Sequence, residues 1–204
     1  MNKKVVLFLN GETPSNIPDL TIYKEIFCTD GAYLYLKKLN IVPDKISGDF
    51  DSIQIDQLEI SRKTKIIATP NQNFTDFEKA LQLIIDDGYD TVDVFGASGK
   101  QQDHFLGNMN AAYKFKKYLK ITFYDNYSTY YFLDKKCQIT NVLNKTISLF
   151  PFPEANGITT EGLLYPLKNE SLSILDRIGT RNKAIKNEIL IHFKSGELIV
   201  FIIK

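Results

Sequence analysis

The sequence predicts an α/β domain on a mostly parallel sheet, followed by a smaller all-β domain. Three observations carry that prediction. Short β-rich runs alternate with helical patterns through residues 1–134, and such alternation lays strands side by side in a parallel sheet covered on both faces. From residue 135 onward, β-like runs follow one another with little helical periodicity between them. The early strands also end repeatedly in Gly and Asp, at the edge where open α/β sheets bind ligands.

Taken in order, the strand candidates of the first part are Val5–Leu9, Glu25–Thr29, Lys45–Ser47, Lys65–Ala68, Thr91–Phe95 and Ile121–Tyr124. The clearest helix runs from Thr75 to about Asp87. Phe77, Ala80, Leu81, Ile84 and Ile85 recur on one face at i, i+3, i+4, i+7 and i+8. Thr75 and Glu78 form a capping-box pattern at its start, and Gly88 closes it. In the second part the candidates are Cys137–Val142, Thr146–Phe150, Leu163–Leu167, Ile189–Phe193 and Leu198–Ile203. Lys194-Ser195-Gly196-Glu197 is expected to form a hairpin turn between the last two. A domain this small buries limited surface alone, so it is expected to dock on the first domain or on a partner subunit.

Composition narrows the function classes. The 204 residues are 44% hydrophobic and 24% charged, a globular profile, and the formal net charge is +1. No bulk charge calls for nucleic acid or an anionic membrane. Cys28 and Cys137 lack metal-ligand spacing and read as free thiols of a reducing compartment. Lys3-Lys4 before Val5–Leu9 is too short an apolar run for a signal peptide. No stretch reaches the ~20 apolar residues that span a bilayer. A cytoplasmic protein is expected.

The chemistry gathers where strands end. Asp30-Gly31 follows the second strand, and Gly48-Asp49-Phe50-Asp51-Ser52 the third. Thr69 to Asp76 follows the fourth, and Gly96 to His104 the fifth. Asp30, Asp49, Asp51, Asp76 and Asp103 would therefore share one sheet edge. Such a cluster repels itself unless protons or a cation neutralise it. Mg²⁺ suits it, because that ion takes a few carboxylates and completes its shell with water and phosphate oxygens. Asp49 and Asp51 flank Phe50, so in an extended stretch both would point to one side. Each piece alone has a plainer reading. An Asp ahead of a helix is commonly an N-cap, Asp-x-Asp recurs in unrelated proteins, and Gly96-x-x-Gly99 can be a tight turn. His104 fits a structural or capping role as well as proton transfer. His192 reads as structural, and Tyr124–Phe132 as strand and core rather than a base-stacking platform.

In order, these segments resemble the thiamine pyrophosphokinase family. The matching pieces are Asn10-Gly11, Asp30-Gly31, Pro43-Asp44, Gly48-Asp49-Phe50-Asp51-Ser52 and Thr75-Asp76. Gly96-Ala97-Ser98-Gly99 with Asp103-His104, then Ser148-Leu149 and Thr160-Glu161-Gly162-Leu163, complete the set. The resemblance implies a Rossmann-like ATP- and Mg²⁺-binding domain over 1–134 and a β-sandwich over 135–204 that binds thiamine and dimerises. It implies a homodimer that transfers pyrophosphate from ATP to the thiamine hydroxyl, giving thiamine diphosphate and AMP. By the same resemblance Asp49, Asp51 and Asp76 would hold Mg²⁺, with Asp103 joining them in catalysis. Asp30, Gly31, Ser98, Gly99, Lys100 and His104 would serve ATP. Gln72, Thr75, Arg181 and Asn182 would serve thiamine.

Four positions depart from the family pattern: Leu34 stands for Asn, Asn73 for Asp, Gln101 for Arg and Arg181 for Ser. Gln101 removes a planar, always-charged phosphate clamp, which Lys100 could replace only as a point charge. Two other functions remain open on the sequence. One is a different Mg-dependent phosphotransferase or phosphatase built on Asp-x-Asp. The other is a nucleotide- or thiamine-binding protein without turnover.

Overall fold

A computed structural model describes residues 3–50 and 60–204, and these divide into two compact units, 1–126 and 127–204. In chain order the first unit carries β1 (Lys4–Phe8), β2 (Ile26–Thr29), α1 (Asp30–Lys38), β3 (Lys45–Gly48) and β4 (Lys65–Ala68). It continues with α2 (Asp76–Asp86), β5 (Thr91–Phe95), α3 (Gln102–Phe115) and β6 (Lys120–Tyr124). The strands lie in the order β4-β3-β2-β1-β5-β6, and every pairing among them is parallel. Val5, Val6, Leu7 and Phe8 of β1 are all fully buried, the continuous apolar run of a strand covered on both faces. The fold is mixed α/β with a second, β-rich unit.

The sheet grows from β1 through β2, β3 and β4 on one side, then from β1 through β5 and β6 on the other. The loops after β1 and β5 therefore leave in opposite directions and open a crevice at the strands' carboxyl ends. α1 packs on β2 and β3, while α2 packs on β2, β3 and α3. α2 begins as its sequence specifies: Thr75 and Glu78 form a reciprocal capping box, and Gly88 beyond its end has a φ of 84°.

One sequence expectation in this unit changes. Phe50 has a φ of 59°, in the left-handed region, so it is not the extended residue that alternation after Asp49 requires. Its ring lies in the core with Val6, Phe8, Cys28 and Ile46, and that burial offsets a left-handed cost of ~1–2 kcal/mol. Asp51 itself lies outside the described residues. The compact units divide after Asn126, because β7 (Ser128–Phe132) pairs within the β-rich unit.

The second unit continues with β8 (Lys136–Thr140), β9 (Thr146–Glu161), β10 (Lys168–Ser173), β11 (Gly179–Lys183), β12 (Glu188–His192) and β13 (Ser195–Ile203). β9 is its hub, pairing antiparallel with β10, β11, β12 and β13. The expected hairpin at Lys194–Glu197 does not form. Leu190 pairs with Glu161 and Ser195 with Asn156, so β12 and β13 run on in one direction along β9. Gly196, at φ 80°, marks a bulge in that run instead of a reversal. Leu163–Leu167 is not a strand either: it makes only an isolated bridge from Leu163 to Ala184. A core of Leu149, Ile158, Ile191, Phe193, Leu198 and neighbours holds this unit together.

Candidate active site

The crevice at the carboxyl edge of the parallel sheet is a cleft of about 590 Å³, within the range of small-molecule sites. Three of its walls begin at strand ends. Thr29 ends β2 in extended conformation, and Asp30 opens α1 as its first residue. Asp30 is only 7% exposed, yet its carboxylate accepts from the Gly31 N–H at 2.6 Å and the Phe50 N–H at 3.1 Å. Gly48 makes this possible: a Cβ there would run into the Asp30 carboxyl group. Burial pushes the Asp30 carboxyl above the usual carboxylate range. The Asp76 and Asp49 charges act the same way, and the two N–H donors oppose them.

Asp49 follows β3 and lines the same cleft, with Gln72 Nε2 donating to its Oδ2 at 2.9 Å. Asp76 opens α2, where its negative charge complements the helix dipole. Its Oδ1 lies 2.7 Å from Lys79 Nζ, which also donates to the Thr69 carbonyl at 2.8 Å. Behind this turn, Glu78 accepts from the Thr75 N–H at 3.0 Å and pairs with Lys114 of α3 at 2.7 Å. Thr75 and Asp76 are thereby held between two helices.

The opposite wall comes from the loops that follow β1 and β5. The Gly11 N–H donates to the Gly96 carbonyl and the Glu12 N–H to the Ser98 carbonyl, each at 2.7 Å. Gly96 has a φ of 69°, and a Cβ there would strike the Leu9 carbonyl, so the close approach requires glycine. Asn108 of α3 pins the loop by donating to the Ala97 carbonyl at 2.8 Å. Lys100 Nζ donates to Asn10 Oδ1 at 3.0 Å, which keeps its charge at the cleft.

The sequence-predicted residues thus divide. Asp30, Gly31, Asp49, Gln72, Thr75 and Asp76 line the cleft, as do Ser98, Lys100, Asp103 and His104. Asp103 and His104 are exposed on the first turn of α3, and Asp103 is not its N-cap, a place held by Gln101. Gly99 takes a φ of 84° beside Glu12 and shapes the loop. Arg181 and Asn182 belong to β11 of the second unit. Arg181 is left-handed at φ 56°, with its N–H donating to Ser148 Oγ at 2.9 Å. The Asn182 amide is engaged with Tyr165, accepting from its N–H at 3.1 Å and donating to its carbonyl at 2.7 Å. Of the departures, Asn73 and Gln101 line the cleft, whereas Leu34 is exposed on α1. Sequence reasoning missed Lys79, Glu78 as an inter-helix tie, and Asn108. Lys79 was legible as an i, i+3 partner of Asp76. Nothing local marks the reach of Asn108 to Ala97.

The donor chemistry fits a divalent cation such as Mg²⁺. Hard carboxylate oxygens repel one another here, in a cleft roomy enough for water and phosphate oxygens. Among the described residues, no three of His, Cys, Asp and Glu close up into a metal cage.

Residues 21–123 match the family model for thiamin pyrophosphokinase, catalytic domain, and residues 134–198 match that for thiamin pyrophosphokinase, vitamin B1 binding domain. The chain is 29% identical to thiamine pyrophosphokinase of Bacillus subtilis (strain 168), over 97% of either sequence. It is 25% identical to thiamin pyrophosphokinase 1 of Caenorhabditis elegans, over 98% of this chain and 88% of that one. The crystal structure of the Bacillus subtilis enzyme superposes with a TM-score of 0.83 at 26% identity, covering 98% of this chain and 99% of the other. Both family models match in the order of the two units, and full-length relatives agree with them: the chain belongs to the thiamin pyrophosphokinase family and is a kinase-type transferase.

Proposed function

We propose that this protein transfers the terminal pyrophosphate of ATP to the hydroxyl of thiamine. The observation that carries the proposal is the meeting of Asp30, Asp49 and Asp76 in one cleft, from the separate segments that follow β2, β3 and β4, in a member of this family. The thiamine hydroxyl oxygen would bond to the β-phosphorus of ATP as the bridge to the α-phosphate breaks. AMP would leave with the bridging oxygen, and the hydroxyl proton would be released. Asp49 and Asp76, joined by Asp51, would hold Mg²⁺; when bound, that ion supplies positive charge to the phosphate oxygens. Asp103, His104, Lys100, Ser98 and the N–H groups around Gly31 and Gly96–Gly99 would orient the polyphosphate. The contribution of the protein is then mainly positioning and charge stabilisation.

On the same reading the first unit is Rossmann-like and binds the nucleotide, while the second is a β-sandwich that binds thiamine and forms a homodimer in the cytoplasm. Gln72 would meet thiamine from the cleft. Arg181 and Asn182 would act from β11, where Asn182 serves first by fixing the Tyr165 backbone. Among the described residues no helix is long and apolar enough to cross a membrane. The test is incubation with Mg-ATP and thiamine, with products identified by mass. Equal amounts of AMP and thiamine diphosphate are expected. Release of ADP, or of inorganic phosphate without thiamine diphosphate, would contradict the proposal.

A further inference from the structure

Lys79 stands just under one helical turn beyond Asp76 in α2. Its ammonium is engaged by Asp76 Oδ1 at 2.7 Å and by the Thr69 carbonyl at 2.8 Å. Only 9% of its side chain is exposed, against 43% for Asp76, so this cation is built into the cleft wall. Asp30 and Asp49 share the cleft with that pair, and Asp30 experiences both Asp49 and Asp76 as like charges. A fixed positive charge among carboxylates relieves their repulsion while the cleft is empty. The same charge repels any second cation that shares the Asp76 carboxylate.

We propose that Lys79 is the cleft's own counter-cation. It balances the carboxylates in the ligand-free protein and weakens their hold on a divalent cation that arrives alone, so metal binding depends on the negative charge of a bound polyphosphate. This rests on the assignment of Asp49 and Asp76 as metal ligands made above. Phosphate oxygens of the bound polyphosphate would then complete the shell of the ion. Lys79 acts through Asp76 and is a positioning residue. Linkage adds a requirement: whatever factor the nucleotide adds to metal affinity, the metal adds to nucleotide affinity.

The test titrates the full-length, ligand-free chain with Mn²⁺, whose free form is read by electron paramagnetic resonance, then repeats the titration with a non-hydrolysable ATP analogue. Lys79→Met and Lys79→Gln should bind Mn²⁺ alone at least ~10-fold more tightly than the native chain, because a unit charge a few ångströms away has gone. Lys79→Arg keeps the charge and should stay near native. The analogue should tighten Mn²⁺ binding strongly in the native chain and much less in the Met and Gln variants. Lys79→Gln retains an N–H donor for the Thr69 carbonyl, and circular dichroism checks that each variant is folded. Met and Gln variants that bind Mn²⁺ no more tightly than native would overturn the inference, and so would Lys79→Arg behaving like Lys79→Met. A different result marks failure of the metal assignment itself: no Mn²⁺ held by native or variant protein beyond what the analogue binds in free solution.

Discussion

Gly48 and Asp30 illustrate how tightly single residues define this cleft. The Asp30 carboxylate fills the space that a side chain at residue 48 would need, and there it meets the Phe50 N–H. Gly48→Ala should therefore destabilise the fold by about 1–3 kcal/mol, as overpacking does. In Asp30→Ala the obstruction is gone, so the double variant should cost much less than the sum of the single ones. Urea unfolding of the four proteins measures this, and simple additivity would refute the contact. At this scale the sequence was a good guide to chemistry and a poorer one to geometry. Asp30, Asp49 and Asp76 were legible because each follows a β-rich run. The left-handed turn at Phe50 was not, since a buried aromatic is the last residue expected at positive φ. Its conformation depends on a core contributed by distant segments.

α2 is the element on which the site turns. Its capping box was readable from Thr75 and Glu78 alone, but the tie from Glu78 to Lys114 of α3 requires the tertiary fold. Desolvation raises the Glu78 carboxyl, but Lys114 and the Thr75 donors outweigh it and hold it below the ordinary value. A depressed carboxylate stabilises the fold above its unfolded pKa and loses that contribution as pH falls through the folded value. Glu78→Gln keeps an acceptor for Thr75 but loses the ion pair. It should lower stability near neutral pH by about 1 kcal/mol, modest because Lys114 is half exposed, and the difference should vanish in acid. Thermal melts across pH check this; a deficit that persists below the folded pKa would contradict it. Elsewhere the legible elements were the apolar ones. β10 and β11 escaped notice because Lys-Asn-Glu-Ser and Gly-Thr-Arg-Asn-Lys carry no apolar alternation, and both strands lean on β9 through irregular register. The Lys194–Glu197 segment misled for the opposite reason. Its glycine signals a bulge as readily as a turn, and only the pairing with β9 distinguishes them.

For the molecule as a whole, the change from α/β to β-rich was plain in the sequence. The place of β7 was not, since its pairing with β13 joins residues far apart in the chain. The second unit leaves Leu164, Tyr165 and Leu175 in solvent, Leu175 at 92% exposure, in keeping with the proposed homodimer. Light scattering should give twice the 23.3 kDa of one chain, and a monomer mass at full activity would contradict the dimer. On the proposed function, carboxylates gathered from separate segments support the transfer by holding the metal and its phosphates, and this can be measured. It is tested most directly by following AMP and thiamine diphosphate formation in native protein and in Asp76→Asn at saturating Mg-ATP and thiamine, with melting curves alongside. Native protein should give equimolar products. Asp76→Asn should melt normally and lose at least ~100-fold in turnover, about 2.7 kcal/mol of transition-state stabilisation. Near-native turnover in a folded Asp76→Asn protein would contradict it.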